Sequence, residues 1–431
     1  MAVSSVGLAS MGAVDESPDP YFWRETARER SRRVRRRREP RAVRLGRVAN
    51  VSVLGLAAVT AVGLVVLWPH GKVPGTPDSV PTERAVVESL VAVKCPSPGA
   101  RSCTSVSFRL TSGSRSGSHG SFTVVGNQGV ALSTGDAIRV YANRFPTGTT
   151  SAQTHRIGLW SFADFDRLGP LLWLAAAFAA LLLLTARLRG LRALLGLAAS
   201  LVVVVEFVVP AILHGRSPVE VAVVGAFAVM LLTMPLTYGL GPKMLAALLG
   251  TGASLLVAAG LADLAARVAH LSGASEDALY LVSTQSTISL RGLLVAGMVI
   301  GALGVLTDLT VSQASTVLAL RRANPRLGFG GLFREALDVG HDHIAATVNT
   351  LVFAYAGAAL PTLLIFTIGH TSFTDAVNGE AVASEVVAAL VGSIGLILSM
   401  PLTTALAALL AERMGEHELA HAIEHDHAHA H

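Results

Sequence analysis

The chain has 431 residues, of which 52% are hydrophobic and 15% charged, and its mean hydropathy is +0.55. A soluble globular domain does not carry that composition, which leaves an integral membrane protein. The formal net charge is +5, but Arg24 to Arg47 alone holds twelve Arg and three Glu, so the rest of the chain is net acidic.

In chain order, residues 1–47 are polar and Arg-rich and are expected to form a disordered cytoplasmic tail. Basic flanks stay in the cytoplasm, which fixes the amino terminus inside. The same run can bind anionic lipid; no nucleic-acid partner is expected. The apolar run Val48 to Trp68 follows. At about 1.5 Å per residue it crosses ~30 Å of hydrocarbon, and with no small-residue cleavage site behind it, residues 48–68 are expected to be a retained anchor. A Pro-punctuated linker, 69–82, leads to a segment, 83–160, in which "AVVESLVAVKC", "TSVSFRLT", "SFTVVG" and "VALSTGDAIRVYAN" alternate between turn signals. That pattern predicts a small antiparallel barrel outside the cell. Its core is thin, and the chain's two cysteines, Cys95 and Cys103, both fall in it and are expected to form a disulfide. Binding of a ligand or an extracytoplasmic protein partner, and service as a rigid spacer, both fit such a domain.

Seven further spans are expected in residues 161–411: Leu168 to Arg187, Leu191 to Leu213, Val219 to Leu240, Met244 to Ala269, Leu290 to Leu320, Ile344 to Ile368 and Glu385 to Leu410. The predicted fold class is therefore an all-α polytopic membrane protein of about eight transmembrane helices, with a small extracytoplasmic β-barrel-like domain inserted after the first. Both termini then lie in the cytoplasm and residues 69–167 outside. Between the sixth and seventh spans, Leu332, Phe333, Ala336 and Leu337 oppose Arg334, Glu335 and Asp338, which predicts an amphipathic stretch lying along the membrane surface. The tetrapeptide "MPLT" occurs at Met234 to Thr237 and again at Met400 to Thr403. Both copies sit in spans of the same direction, so any duplication would be parallel.

The residue that demands a reason is Asp308, about thirteen residues or ~20 Å before Arg321, which places it at mid-membrane. A carboxylate facing lipid costs about 2.5 to 3.5 kcal/mol, so it should face protein or water. Gly297, Gly301, Gly304, Asp308, Ser312 and Ser315 recur at steps of three or four and form one small, polar stripe that suits tight helix packing. Ion or proton handling, a structural hydrogen bond and a rim position are all open for Asp308. Candidate companions are Glu206, Asn349 and Thr350, while Pro235 and Pro401 can break their helices and free carbonyls for an ion. The tail 412–431 carries His417, His421 and His425 at steps of four, a spacing that can hold a divalent transition metal, although a solvated tail gives the same letters. No Walker A, HExxH or GxSxG motif is present, so neither an enzyme nor a resident cofactor is expected.

The blocks "FADFDRLGPLLWL", "MPLTYGLGPKMLAALLGT", "LRGLLVAGMVIGALGVLTD", "ANPRLGFGGLFREALDVGHDHIAATVNTLVFAYAG" and "GSIGLILSMPLTTALAALL", taken in order over Phe162 to Leu410, resemble the YibE/F family of bacterial polytopic membrane proteins. The resemblance implies a bacterial cytoplasmic membrane location and an extracytoplasmic β domain after the first span; it implies no biochemical activity. His341 and the His-rich tail depart from the family pattern. From the residues themselves, the leading expectation is a secondary permease or exporter of a small solute or ion, with Asp308 as coupling carboxylate. The rival is a non-transporting membrane scaffold or receptor that binds a partner through its β domain.

Overall fold

The structure is a computed structural model and describes residues 47–71, 81–95, 102–125, 131–143, 159–284 and 287–413. The expected amino-terminal tail up to residue 46 and the histidines His417, His421 and His425 lie outside these residues. The chain forms two compact units, one from Lys72–Leu194 and one from the remaining residues.

The first unit contains β1 (Thr82–Val93), β2 (Cys103–Leu110), β3 (His119–Val125), β4 (Ala137–Ala142) and β5 (Trp160–Phe165), all antiparallel in the order β3-β2-β1-β4-β5. The sheet curls until β3 and β5 touch. This is Greek-key connectivity, as in small five-stranded OB-type barrels. Period-two alternation turns Val106, Phe108 and Leu110 of β2, Val87 of β1 and Ile138 and Val140 of β4 into the core. Phe108 stands edge-on to Trp160 at 5.7 Å, and Arg115 covers the Trp160 ring at 4.5 Å. A core of this size is small, and Cys95–Cys103 ties the end of the β1–β2 hairpin, where Val93 pairs with Cys103. At the edge of the sheet, the Arg167 guanidinium donates to Asp164 at 2.7 Å and, with the Phe165 amide, holds that carboxyl below its usual range.

The helices are α1 (Arg47–Leu67), α2 (Leu168–Leu213), α3 (Pro218–Tyr238), α4 (Pro242–Val268), α5 (Glu276–Thr284), α6 (Leu290–Ala323), α7 (Phe329–Ala358), α8 (Leu360–Ile368), α9 (Phe373–Asn378) and α10 (Glu380–Arg413). Among the described residues six are long and apolar enough to cross a membrane, or seven if α7 and α8, bent by 55° at their junction, count as one span. The expected count of eight differs at α2, a single element where two spans are predicted. At 46 residues it would reach ~69 Å if straight. It is not straight: Arg187 has a left-handed φ of 51°, and the Leu182 carbonyl lies 2.6 Å from where a Gly190 Cβ would be. Eight residues of straight helix separate two points by ~12 Å, so the chain turns sharply here. Further on, Pro210 offers no N–H to the carbonyl of Glu206, and residues Val204–Val208 widen into a π-turn in which Val209 donates to Val204.

Helices α4, α6 and α10 form the centre of the second unit, with α3 against α6 and α7 against α10 and α6. The first half of α7 corrects the expected surface helix. Leu332 and Ala336 are fully buried, so the apolar face of that stretch covers protein, while Arg334, Glu335 and Asp338 are exposed. Both ends of the bundle are clamped. At one end, the Arg321 guanidinium donates to the carbonyls of Pro325 and Leu327 at 2.5 and 2.6 Å and to that of Glu412 at 3.4 Å. At the other, the Glu380 carboxylate accepts from the Ser272 hydroxyl at 2.8 Å and the Gly273 amide at 2.6 Å. Gly273 has φ +76, and a Cβ there would strike the Leu290 carbonyl, so only glycine fits.

The glycines of the bundle divide into two kinds. Gly340 of α7 sits against Gln313 and Met400, with no room for a Cβ, whereas a Cβ at Gly297 of α6 would meet nothing within 4 Å. Overpacking costs ~1 to 3 kcal/mol. Gly340→Ala should therefore lower the thermal midpoint of the full-length protein in detergent, and Gly297→Ala, which meets no neighbour and removes a helix-interior glycine, should leave it unchanged or raise it. Equal midpoints would refute this packing.

Candidate functional site

On α6 the apolar residues Leu303, Leu306 and Val311 are buried in the bundle, and the small polar stripe takes the opposite side. Gly297, Gly301, Gly304 and Asp308 are exposed, and Ser312 and Ser315 are half-buried. The stripe is thus not the packing seam expected of it: nothing within 4 Å meets a Cβ at Gly297 or Gly304, and a Cβ at Gly301 would lie 3.4 Å from the Tyr355 hydroxyl of α7.

Near Ser312, toward the end of the stripe, α6 and α7 border a groove. Gln313, 2% exposed, donates from Nε2 to the Ala336 carbonyl at 2.9 Å and holds α7 to α6. Just beyond that contact the helices part into an open cleft of about 380 Å³, lined by Ser312, Gln313 and Thr316 of α6 and Val339, Asp342, His343 and Ala346 of α7. Asp308 stands one turn along α6. Its Oδ2 lies 3.8 Å from Nε2 of His343, with the carboxylate side chain 74% exposed and the imidazole 40%. That imidazole nitrogen is itself shielded and has no hydrogen-bond partner. At this distance the two groups make no direct hydrogen bond.

The pair also fixes relative depth. His343 ends the polar triplet His341-Asp342-His343, after which the apolar run of α7 begins at Ile344. Asp308 is therefore level with the start of the α7 apolar run, nearer one end of the spans than the mid-membrane position expected from α6 alone.

The other candidates are dispersed. Asn349 and Thr350 are exposed on α7, about two turns beyond His343, and Thr350 gives its hydroxyl proton to the Ala346 carbonyl of its own helix at 3.0 Å. Glu206 is exposed on the π-turn of α2 and is not among the residues lining the cleft. Pro235 and Pro401 lie inside α3 and α10, and neither ends its helix. The sharp features fall elsewhere, at Arg187 and at the junction before Pro361. Among the described residues no three His, Cys, Asp or Glu side chains converge as metal ligands would. Sequence reasoning missed the pairing of His343 with Asp308 and the part played by Gln313 and Gly340. The triplet of two His and one Asp at the mouth of an apolar run was the available signal.

No curated protein and no solved structure matches the chain. The family described as YibE/F-like protein matches residues 174–413, more than half the chain and every helix from α3 to α10. That stretch carries both walls of the groove, and on this match the chain belongs to the YibE/F family of membrane proteins.

Proposed function

We propose that the chain is a secondary permease of a bacterial cytoplasmic membrane that moves a small solute or ion along the α6–α7 groove. The observation that carries this reading is the Asp308–His343 pair, opposed at 3.8 Å beside an open cleft between two apolar helices. A carboxylate on a membrane span is costly unless water or an opposite charge attends it. The exposed Asp308 carboxylate, with the His343 imidazole beside it, offers a passing cation or hydrogen-bonding solute a point of contact. In this reading the sharp turn at Arg187 separates two spans of α2, which with α7–α8 as one gives eight. Both termini are then cytoplasmic, the curled sheet is outside, and the cleft opens to the cytoplasm near Arg321 and Arg322. The reading needs no catalytic chemistry and no resident cofactor.

The rival reading, a non-transporting scaffold, is favoured by the open glycine face of α6, which can receive another helix. The two part at Asp308, because helix docking tolerates an isosteric amide and proton or ion handling does not.

Total ion and metabolite content should be compared between a strain lacking the protein and the same strain carrying wild type, Asp308→Asn or His343→Gln, with membrane abundance verified. The permease reading predicts that one species changes in the deletion, that wild type restores it, and that both variants fail at normal abundance. Full restoration by Asp308→Asn would end the coupling role.

A further inference from the structure

The side chains around the α6–α7 cleft narrow what it can hold. None of its lining residues is lysine or arginine, and one, Asp342, is a carboxylate. Asp342 is exposed, and the described residues offer it no ion pair. The α6 wall adds acceptors. Gln313, 2% exposed, gives Nε2 to the Ala336 carbonyl at 2.9 Å, and the same nitrogen lies against Gly340. The nitrogen end of the carboxamide is therefore covered by α7, and Oε1 is the end left to the cleft. Thr316 donates its hydroxyl proton to the Ser312 carbonyl of its own helix at 3.1 Å, which leaves Oγ1 as an acceptor.

Negative charge and acceptors thus outweigh donors in one open space of about 380 Å³. The Ser312 hydroxyl and the unpartnered His343 Nε2 can each give or accept, so they do not reverse the balance. A carboxylate or phosphate ligand would meet no fixed positive charge here. A metal ion is poorly served, because among the described residues no three His, Cys, Asp or Glu side chains converge. A quaternary ammonium has no N–H to give and is held by cages of Trp, Tyr or Phe, none of which lines the cleft. A primary ammonium group carries three donors and no acceptor, which complements a carboxylate, an amide oxygen and a hydroxyl oxygen. Val339 and Ala346 supply apolar surface for a short hydrocarbon chain behind it.

We infer that the cleft binds a small primary amine in its ammonium form. The head group is held by the Asp342 carboxylate, Gln313 Oε1 and Thr316 Oγ1, and the hydrocarbon chain lies along Val339 and Ala346. This inference names the substrate class of the groove and rests, for its physiological role, on the permease reading. Asp308, beside His343, is the next carboxylate such a cation meets.

The test is thermal unfolding of the purified full-length protein in non-ionic detergent, in n-butylammonium, tetramethylammonium or sodium chloride or in sodium butyrate, at equal ionic strength. A ligand that binds the folded state alone raises the midpoint with its concentration. n-Butylammonium should raise it saturably and the other three salts should not. Asp342→Asn removes a charge-assisted hydrogen bond and should weaken the apparent affinity about tenfold or more. Thr316→Val should weaken it as well. Glu335→Gln, at an exposed carboxylate of α7 that does not line the cleft, should leave it unchanged. Asp342 is exposed and Thr316 half-buried, and the midpoints without amine report whether each variant folds. Equal midpoints in the four salts, or a butylammonium increment that survives Asp342→Asn, would overturn the proposal. The permease reading fails separately, because its test turns on restoration by Asp308→Asn and uses no amine. Butylammonium binding in a protein whose deletion changes no species would uphold the site and remove the permease; no binding, with Asp308→Asn still unable to restore a changed species, would keep the permease and overturn the amine.

Discussion

Close approach of α4, α6 and α10 is the contact on which the rest of the bundle rests. In hydrocarbon, helices gain little from hiding apolar side chains and associate through van der Waals contact and interhelical hydrogen bonds. Here that contact comes from small residues: Gly250 receives Thr403, Gly395 lies against Ala258, and Ala246, Ala262, Ala266 and Ala408 are wholly buried. The Thr251–Thr310 contact then sets α6 against α4. Once α6 is placed, Gln313 and the room left at Gly340 decide where α7 can sit.

The groove follows from that placement. Because α6 gives its leucines and valines to the core, its glycine and aspartate stripe is left on the other side. Because α7 is held at Ala336 and Gly340, its next turns bring Asp342 and His343 to the cleft, with His343 facing Asp308. A helix pair fixed at one point and open beyond it leaves Asp308 and His343 beside the cleft while the interior of the bundle stays closely packed.

The apolar runs were legible in the sequence because twenty-residue hydropathy is a strong signal. α1, α3, α4, α6 and α10 fall within a few residues of their expected bounds. The curled sheet was legible from alternation in "TSVSFRLT" and its neighbours, and its two cysteines are joined. Less legible was everything set by contact between distant residues. Periodicity put Gly297, Gly301 and Gly304 on one face, but a small-residue face reads the same whether it packs or lies open. Leu332 and Ala336 were seen as an apolar face, yet a stretch of that pattern covers membrane or protein equally well until its neighbours are known. Asp308 could be found by its oddity, whereas its partner lies thirty-five positions away on another helix, at a spacing no periodicity reports.

The most direct test is whether water reaches the groove. Both native cysteines are joined in a disulfide, so a single cysteine placed at residue 312 or 310 can be read with a membrane-impermeant thiol reagent in open membrane vesicles. The groove account predicts that Ser312→Cys is modified readily and that Thr310→Cys, two residues away and fully buried, is not. An unreactive cysteine at 312, or equal reactivity at the two positions, would contradict it.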